Sequence, residues 1–103
     1  MIKIKISKKN RDINNITISG HAMYDDYGKD IVCASVSSIV TTTVNGILRI
    51  NEQSISYKQS EGFVEINILY KDEVTKKLII NMLDLFKELK QNYPKNIKII
   101  EEV

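Results

Sequence analysis

The chain contains one histidine and one cysteine, and together they could form a catalytic pair. His21 and Cys33 lie twelve residues apart. A cysteine reacts as its thiolate, and an imidazole within hydrogen-bond reach can hold that thiolate as an ion pair. The imidazole can later give its proton to a leaving amine. These two residue types therefore predict nucleophilic chemistry if the fold brings them together.

The local sequence places the cysteine where negative charge is favoured. Asp30 is suited to cap a helix, because its carboxylate can accept hydrogen bonds from the first free backbone amides. Cys33 would then lie in the first turn, where the helix dipole and the free amides favour a thiolate. The same amides could bind a developing oxyanion. His21 directly follows Gly20 at a predicted strand end, so the two reactive residues converge on one corner.

Alternating apolar residues predict five strands. They are expected at 2–8, around Ile16 to Ser19, at 53–59, at 63–70 and at 96–102. Turn residues separate the first pair and the second pair of strands. They are Asn10, Arg11, Asp12, Asn14 and Asn15 in the first turn and Ser60, Glu61 and Gly62 in the second. Both pairs therefore read as antiparallel hairpins.

Apolar residues at three- and four-residue spacing predict two helices. The first runs from Ile31 to about Arg49, and its expected inner face is Val32, Val36, Ile39, Val40 and Val44. Asp72 caps the second, which Pro94 ends, and its expected inner stripe is Val74, Leu78, Met82, Leu85 and Leu89. The order ββαββαβ predicts an α+β fold: a single domain over 1–103, with two helices packed on a mainly antiparallel sheet.

Composition limits the partners. The net charge of +2 over 103 residues, with scattered basic residues, gives no basic patch, so we expect no direct nucleic-acid binding. A single cysteine cannot form an internal disulfide, which favours a cytoplasmic location. The alternating amino terminus lacks the pattern of a signal peptide, and no apolar run is expected to reach membrane-spanning length. We therefore expect no membrane partner.

The residue types alone leave structural interpretations open. A lone cysteine is more often a buried, inert residue, and a lone histidine at a strand end can be a hydrogen-bonded surface residue. A metal site would need Asp25 and Asp26 to complete it, and nothing in their spacing requires that. We expect no metal and no cofactor.

Two short motifs carry a family resemblance. The first is Gly20-His21-Ala22, and the second is Gly28-Lys29-Asp30-Ile31-Val32-Cys33-Ala34-Ser35-Val36-Ser37. They resemble the signature of the ribosomal-processing cysteine proteases, in which Gly-His-Ala precedes Gly-x-Asp-Ile-Val-Cys-Ala-Ala-Val-Ser. The one departure is Ser35, where the family commonly has Ala, and it lies beyond the nucleophile position.

The resemblance implies a specific activity. It implies a cysteine endopeptidase of Firmicutes-type bacteria that removes the N-terminal extension of a large-subunit ribosomal protein, cutting beside paired Phe residues. By matching position, His21 is the general base and Cys33 is the nucleophile. The family also implies a homodimer, in which a second subunit could help a chain this small to complete its cleft.

Further residues near the motifs are expected to support catalysis or substrate binding. Asp30 could cap the helix, orient His21, or do both, and Ser37 lies one helical turn after Cys33. The Ser37 hydroxyl could reach the site or could bond back to a helix carbonyl. In the intervening loop, Gly20 and Gly28 could be hinges, and Met23, Tyr24 and Tyr27 could contact a Phe-rich peptide or pack on one another.

Two other functions compete with the protease. The alternative is a non-catalytic, ribosome-associated module that binds the same protein, and it should tolerate Cys33→Ser. A thiol redox sensor would need an accessible thiolate and would cut no peptide. The protease should lose turnover on the same substitution but still bind its substrate.

Overall fold

A computed structural model describes residues 1–20, 30–70 and 72–102, and its element order is the predicted ββαββαβ. The strands are β1 (Ile2–Lys9), β2 (Asp12–Ser19), β3 (Ile55–Ser60), β4 (Phe63–Ile68) and β5 (Ile97–Glu102). The helices are α1 (Ile31–Ile50) and α2 (Glu73–Asn92). The α+β class and the two helices are therefore confirmed.

The five strands form one mixed sheet in the order β3-β4-β2-β1-β5. Only β1 and β5 run parallel; the other neighbouring pairs are antiparallel. The register aligns apolar residues in rows across the sheet, such as Ile4 opposite Ile18 and Ile18 opposite Val64. Because one face is apolar, both helices pack on it and on each other, and the core lies between.

The first turn is tighter than expected. Only Asn10 and Arg11 form it, with φ angles of 54° and 70°. A two-residue hairpin turn with φ above zero at both positions matches the twist of the flanking strands. The expectation that the turn extends to Asn15 is wrong, because β2 already begins at Asp12.

Helix α1 begins and packs as predicted. The Asp30 carboxylate accepts hydrogen bonds from the amides of Val32 and Cys33, which makes Asp30 the N-cap. The buried residues are Val32, Val36, Val40, Val44 and Ile47. Ile39 is only partly buried, at the margin of this stripe. β-branched residues have modest helix propensity, so this burial supplies much of the stability of α1.

The predicted inner stripe of α2 is right at Met82, which is fully buried, and at Leu78 and Leu89, which pack on the core, but wrong at Val74 and Leu85. Val74 is 47% exposed and Leu85 is 37% exposed, and the buried residues are Thr75, Ile79, Met82, Leu83 and Phe86. The helix is thus rotated by about one residue from the predicted face. Burying Phe86, the largest fully buried side chain, removes more apolar surface than burying Leu85. Burial of a polar Thr75 is compatible with this because its hydroxyl has a partner.

That partner is the carboxylate of Asp72, which caps α2. One carboxylate oxygen accepts from the Thr75 amide at 2.8 Å, and the other accepts from the hydroxyls of Thr75 and Ser54 at 3.0 and 3.1 Å. Ser54 is fully buried, and its carbonyl accepts hydrogen bonds from the amides of Leu69 and Tyr70. Ser54 and Asp72 therefore join the start of β3, the end of β4 and the start of α2.

The same contacts predict acid sensitivity. The Thr75 amide, followed by the Thr75 and Ser54 hydroxyls, lowers the pKa of Asp72 against an opposing effect of desolvation. A carboxyl group with a lowered folded-state pKa contributes stability above its unfolded pKa, and this contribution is lost as pH falls through the folded pKa. We expect the free energy of unfolding to decline below about pH 4. In urea unfolding at a series of pH values, Asp72→Asn should make the free energy of unfolding fall less steeply with decreasing pH. The same pH dependence for the wild type and Asp72→Asn would contradict this prediction.

Gly46, inside α1, offers a stabilising substitution. A Cβ built there meets no heavy atom within 4 Å beyond its own helix and chain neighbours. Because glycine loses more backbone entropy than alanine in a helix, we expect Gly46→Ala to raise the free energy of unfolding by about 0.5–1 kcal/mol in urea titrations.

Gly20→Ala is the matched comparison for Gly46→Ala, and we expect it to lower the free energy of unfolding. Gly20 has a φ of +88°, and a Cβ there would clash with the Met1 carbonyl oxygen. A gain in stability at Gly20, or a loss at Gly46, would contradict this interpretation.

Within the described residues, α1 is long and apolar enough, by length and composition alone, to cross a membrane. The expectation that no segment reaches that length is therefore wrong. One such helix is a weak indication, because core helices of soluble proteins meet the same criterion. Here five α1 residues are buried in the core.

Candidate active site

Cys33 lies in the first turn of α1 and opens onto a cavity. The capping oxygen of Asp30 accepts hydrogen bonds from the backbone amides of Val32 and Cys33 at 2.9 and 3.1 Å. The Cys33 side chain is half-buried and packs against the core, while it also lines the cavity. The cap therefore fixes the backbone at the cysteine, and the half-buried residue forms part of the cavity wall.

The cap changes the expected oxyanion site. The amides of Val32 and Cys33 both bond to Asp30, and the Ala34 amide bonds to the Asp30 carbonyl at 3.2 Å. The bond from Ala34 is the first intrahelical bond, whereas the helix would otherwise leave the amides of Val32 and Cys33 without a partner. An oxyanion bound by the Val32 or Cys33 amide would therefore have to compete with the Asp30 carboxylate.

The cavity measures about 220 Å³ and has two walls. The helix wall comprises Cys33, Val36, Ser37, Val40 and Thr41. The strand wall comprises Tyr57, Gln59 and Ser60 of β3, the turn residue Gly62, and Phe63 and Val64 of β4. Ile2, Ile18 and Gly20 complete the lining. Cys33, Ser37 and Thr41 recur every four residues, so the cavity follows α1 for about two turns away from the thiol.

The described lining contains no charged side chain. Valines and isoleucines supply apolar surface, while Ser37, Thr41, Tyr57 and Gln59 supply uncharged polar groups. An ionised group placed here would lose hydration without gaining a counter-charge from this lining. The cavity is therefore suited to uncharged, largely apolar groups beside the thiol.

Ser37 shares this cavity with Cys33. Among the described residues its hydroxyl makes no hydrogen bond, whereas the hydroxyl of Ser35 bonds back to the Ile31 carbonyl at 2.7 Å. The back-bonding considered for Ser37 thus occurs at the neighbouring serine. The Ser37 hydroxyl remains available to a bound molecule.

Comparison with known sequences identifies the family. Residues 1–98 match the family described as Cysteine protease Prp. The chain belongs to this family. It is therefore a cysteine protease, with Cys33 as the single cysteine in its sequence.

Individual relatives agree with this membership. The ribosomal processing cysteine protease Prp of Staphylococcus aureus is 28% identical over 90 residues, covering 84% of this chain and 85% of the relative. The protein of the same name from Mycoplasma genitalium is 29% identical over 104 residues, covering 99% of this chain and 97% of the relative.

Solved structures share the fold. The S. aureus Prp protease in complex with a covalently linked product peptide superposes with a TM-score of 0.93 at 23% identity, covering 99% of this chain and all of that one. SMU.848 from Streptococcus mutans gives a TM-score of 0.85 at 26% identity, covering 99% of this chain and 94% of the other.

Several predicted site residues lie outside the described residues. They are His21, Met23, Tyr24, Tyr27 and Gly28. Of the two predicted hinges, Gly20 is described, and its amide bonds to the carbonyl of Gly62 at 3.0 Å. Its φ of +88° favours glycine. A glycine here fits a hinge, and it also leaves the space that the Met1 carbonyl occupies.

The strand wall was not identified from the Prp motifs. Tyr57, Gln59, Phe63 and Val64 are far from Cys33 in sequence and carry no reactive group. They reach the cavity because β4 pairs with β2, which brings the second hairpin beside the first. Alternating apolar residues predicted the hairpin itself, but no local signal predicts which strand it joins.

A larger cavity, about 280 Å³, lies at the other end of β1 beneath the first half of α2. Its described lining mixes aliphatic residues with charges such as Arg11, Asp12 and Lys76, and includes neither cysteine nor histidine. Thr75 is its one hydroxyl, and that hydroxyl bonds to Asp72. Within the described residues no cluster of His, Cys, Asp or Glu could hold a metal ion. The smaller cavity beside Cys33 is therefore the candidate active site.

Proposed function

We propose that this protease removes the N-terminal extension of a large-subunit ribosomal protein by cutting beside paired Phe residues. The observation that carries the proposal is the position of Cys33, in a capped first helical turn that opens on a cavity whose described lining carries no charge. The relatives named ribosomal processing cysteine protease support the substrate class. The reaction is assigned to the whole of residues 1–103 as one protease domain.

The proposed chemistry uses Cys33 and His21. His21 takes the thiol proton, the thiolate attacks the scissile carbonyl carbon, and a tetrahedral oxyanion forms. As the carbonyl re-forms, the C–N bond breaks and the imidazolium gives its proton to the leaving amine. Water, deprotonated by the same imidazole, then attacks the thioester carbonyl. The C–S bond breaks, the extension leaves with a free carboxyl group, and the imidazolium returns its proton to the Cys33 thiolate. The step needs no cofactor or metal.

The size of the cavity supports a subsite for one aromatic ring. An apolar cavity of about 150 Å³ in another protein is large enough to hold benzene. The cavity beside Cys33, about 220 Å³, exceeds that volume but falls short of twice it. We therefore assign one Phe of the pair to this cavity and place the other outside it.

Mass spectrometry of a synthetic peptide tests the proposal. The peptide carries the Phe-containing extension and the first residues of the mature ribosomal protein. We expect the wild-type protein to cut it at one bond. Replacing one Phe by Ala should lower kcat/KM more than replacing the other, by about tenfold or more for a lost buried ring. An uncut peptide, or one cut equally well without either Phe, would contradict the proposal.

We further propose that the protein acts as a homodimer in the cytoplasm of Firmicutes-type bacteria, without direct contacts to nucleic acid or membrane. Relatives from Staphylococcus, Streptococcus and Mycoplasma support the type of organism. The exposed side of α1 supports self-association, because Ala34, Ser38, Thr42 and Asn45 leave it without charge over three turns. Sedimentation equilibrium should give twice the mass of one chain, and a monomer at micromolar concentration would contradict it.

A further inference from the structure

Strand β3 is an edge strand beside the Cys33 cavity. In the part of the chain that the structure describes, β3 is hydrogen-bonded only to β4. Its last three residues, Lys58, Gln59 and Ser60, are exposed. Tyr57 and Gln59 also form part of the cavity wall. The edge of the sheet and the active-site cavity are therefore continuous.

The hydrogen-bond pattern shows which main-chain groups lie on this edge. In an antiparallel sheet, the amide and carbonyl of one residue point to the same neighbour, and those of the next point away. The Gly20 amide bonds to the Gly62 carbonyl, so even-numbered residues of β4 face β2. Phe63, Glu65 and Asn67 thus face β3, where their partners are Ser60, Lys58 and Ser56. The amides and carbonyls of Tyr57 and Gln59 consequently point outward.

We propose that the substrate binds as an added strand on the outer edge of β3, bonded to the main chain of Tyr57 and Gln59. The occupant is an extended, uncharged peptide segment leading to the scissile bond. Such an added strand places alternate side chains over the cavity, because Tyr57 and Gln59 direct their own side chains there. This inference rests on the proposed function and specifies how the same site holds its peptide.

The two edges of the sheet differ in how well they are protected, and the difference favours β3 as the edge that accepts an added strand. Proteins protect edge strands with charges, prolines and bulges. The other edge, β5, carries Lys98, Glu101 and Glu102 and follows Pro94 closely. Strand β3 carries one charge, Lys58, no proline and no break in its register with β4. The less protected edge is thus the one beside the thiol.

Hydrogen exchange of the full chain carrying Cys33→Ala tests the proposal without cutting the peptide. The probe is the Phe-containing extension peptide at saturating concentration. We expect the amides of Tyr57 and Gln59 to exchange at least about tenfold more slowly with peptide present. The Lys58 amide already bonds to β4 and should change little. Unchanged exchange at both Tyr57 and Gln59 with the peptide bound would overturn the proposal.

Gln59→Pro supplies a second measurement in the same background. It removes an outward amide without removing a bond to β4, and we expect the Kd for the peptide to rise about tenfold. Glu101→Pro is the control, since the bond from the Ile2 amide to the Asn96 carbonyl places the Glu101 amide on the outer side of β5. Its Kd should not change.

The outcomes also separate strand addition from the proposed function. If the wild type cuts the peptide while Gln59→Pro keeps the original Kd, strand addition is overturned and the proposed function stands. A peptide that the wild type neither binds nor cuts overturns both.

Discussion

Cys33→Ala is expected to abolish peptide cleavage while leaving substrate binding and folding intact. The substitution removes the only thiol in the chain, and loss of a nucleophile typically lowers kcat by at least about 10⁴-fold. Cys33 is half-buried in the first turn of α1, so its truncation leaves the Asp30 cap in place. Stability should therefore change by less than about 1 kcal/mol.

Three measurements separate this result from general damage. Turnover is followed by mass spectrometry of the peptide, the Kd by fluorescence anisotropy of a labelled peptide, and stability by urea unfolding. Ser35→Ala is the matched control, because it alters a neighbouring hydroxyl in the same turn that bonds back to Ile31. Full turnover by Cys33→Ala would contradict the assignment and would favour a binding or structural part for this cysteine.

Asp30→Ala is expected to lower both the stability of the protein and its rate of peptide cleavage, because it weakens the helix terminus that holds Cys33. We expect this effect to be second only to that of Cys33→Ala. The substitution removes the carboxylate oxygen that accepts from the amides of Val32 and Cys33, and loss of an N-cap typically costs about 1 kcal/mol. In a domain of this size, that corresponds to a fall in Tm of about 4–8 °C. Peptide cleavage should also slow, because the first turn that positions the thiol frays.

Asp30→Asn distinguishes capping from a direct part in catalysis. Asparagine caps helices about as well as aspartate, so its stability should lie within a few tenths of a kcal/mol of the wild type. If capping is the main contribution of Asp30, kcat/KM should also stay within a few-fold. A fall of about 100-fold at unchanged Tm would instead assign the carboxylate a direct part, such as orienting His21.

Local signals in the sequence predicted the elements and both helix starts. Asp30 and Asp72 accept the amide hydrogen bonds expected of N-caps, and alternating isoleucines form the inner face of the sheet. These features depend on residues close in sequence, where backbone geometry fixes which groups can meet. The side of α2 that faces the core could not be read in the same way. Thr75 is polar, and only its contact with Asp72 allows it to be buried in place of Val74.

One part of the candidate site could be predicted from local sequence, and the other depends on contacts between distant segments. Its helix wall follows from sequence, because Cys33 and Ser37 are one turn apart on a predicted helix. The strand wall depends on the pairing of β4 with β2, a contact between distant segments. Tyr57 and Gln59 therefore became candidates for substrate contact only from the structure. The part of the motif at His21 lies outside the described residues, so its pairing with Cys33 remains a prediction.

The pH dependence of Cys33 alkylation by iodoacetamide tests the central claim most directly. A thiolate held by the His21 imidazolium should react at pH values well below about 8.5, the ordinary pKa of a thiol. His21→Ala should raise the midpoint pH of the alkylation profile by at least about one unit. Any remaining lowering of that midpoint below the value of a free thiol should come from the α1 terminus alone. If wild type and His21→Ala give the same profile, with a midpoint near that of a free thiol, Cys33 and His21 are not a catalytic pair.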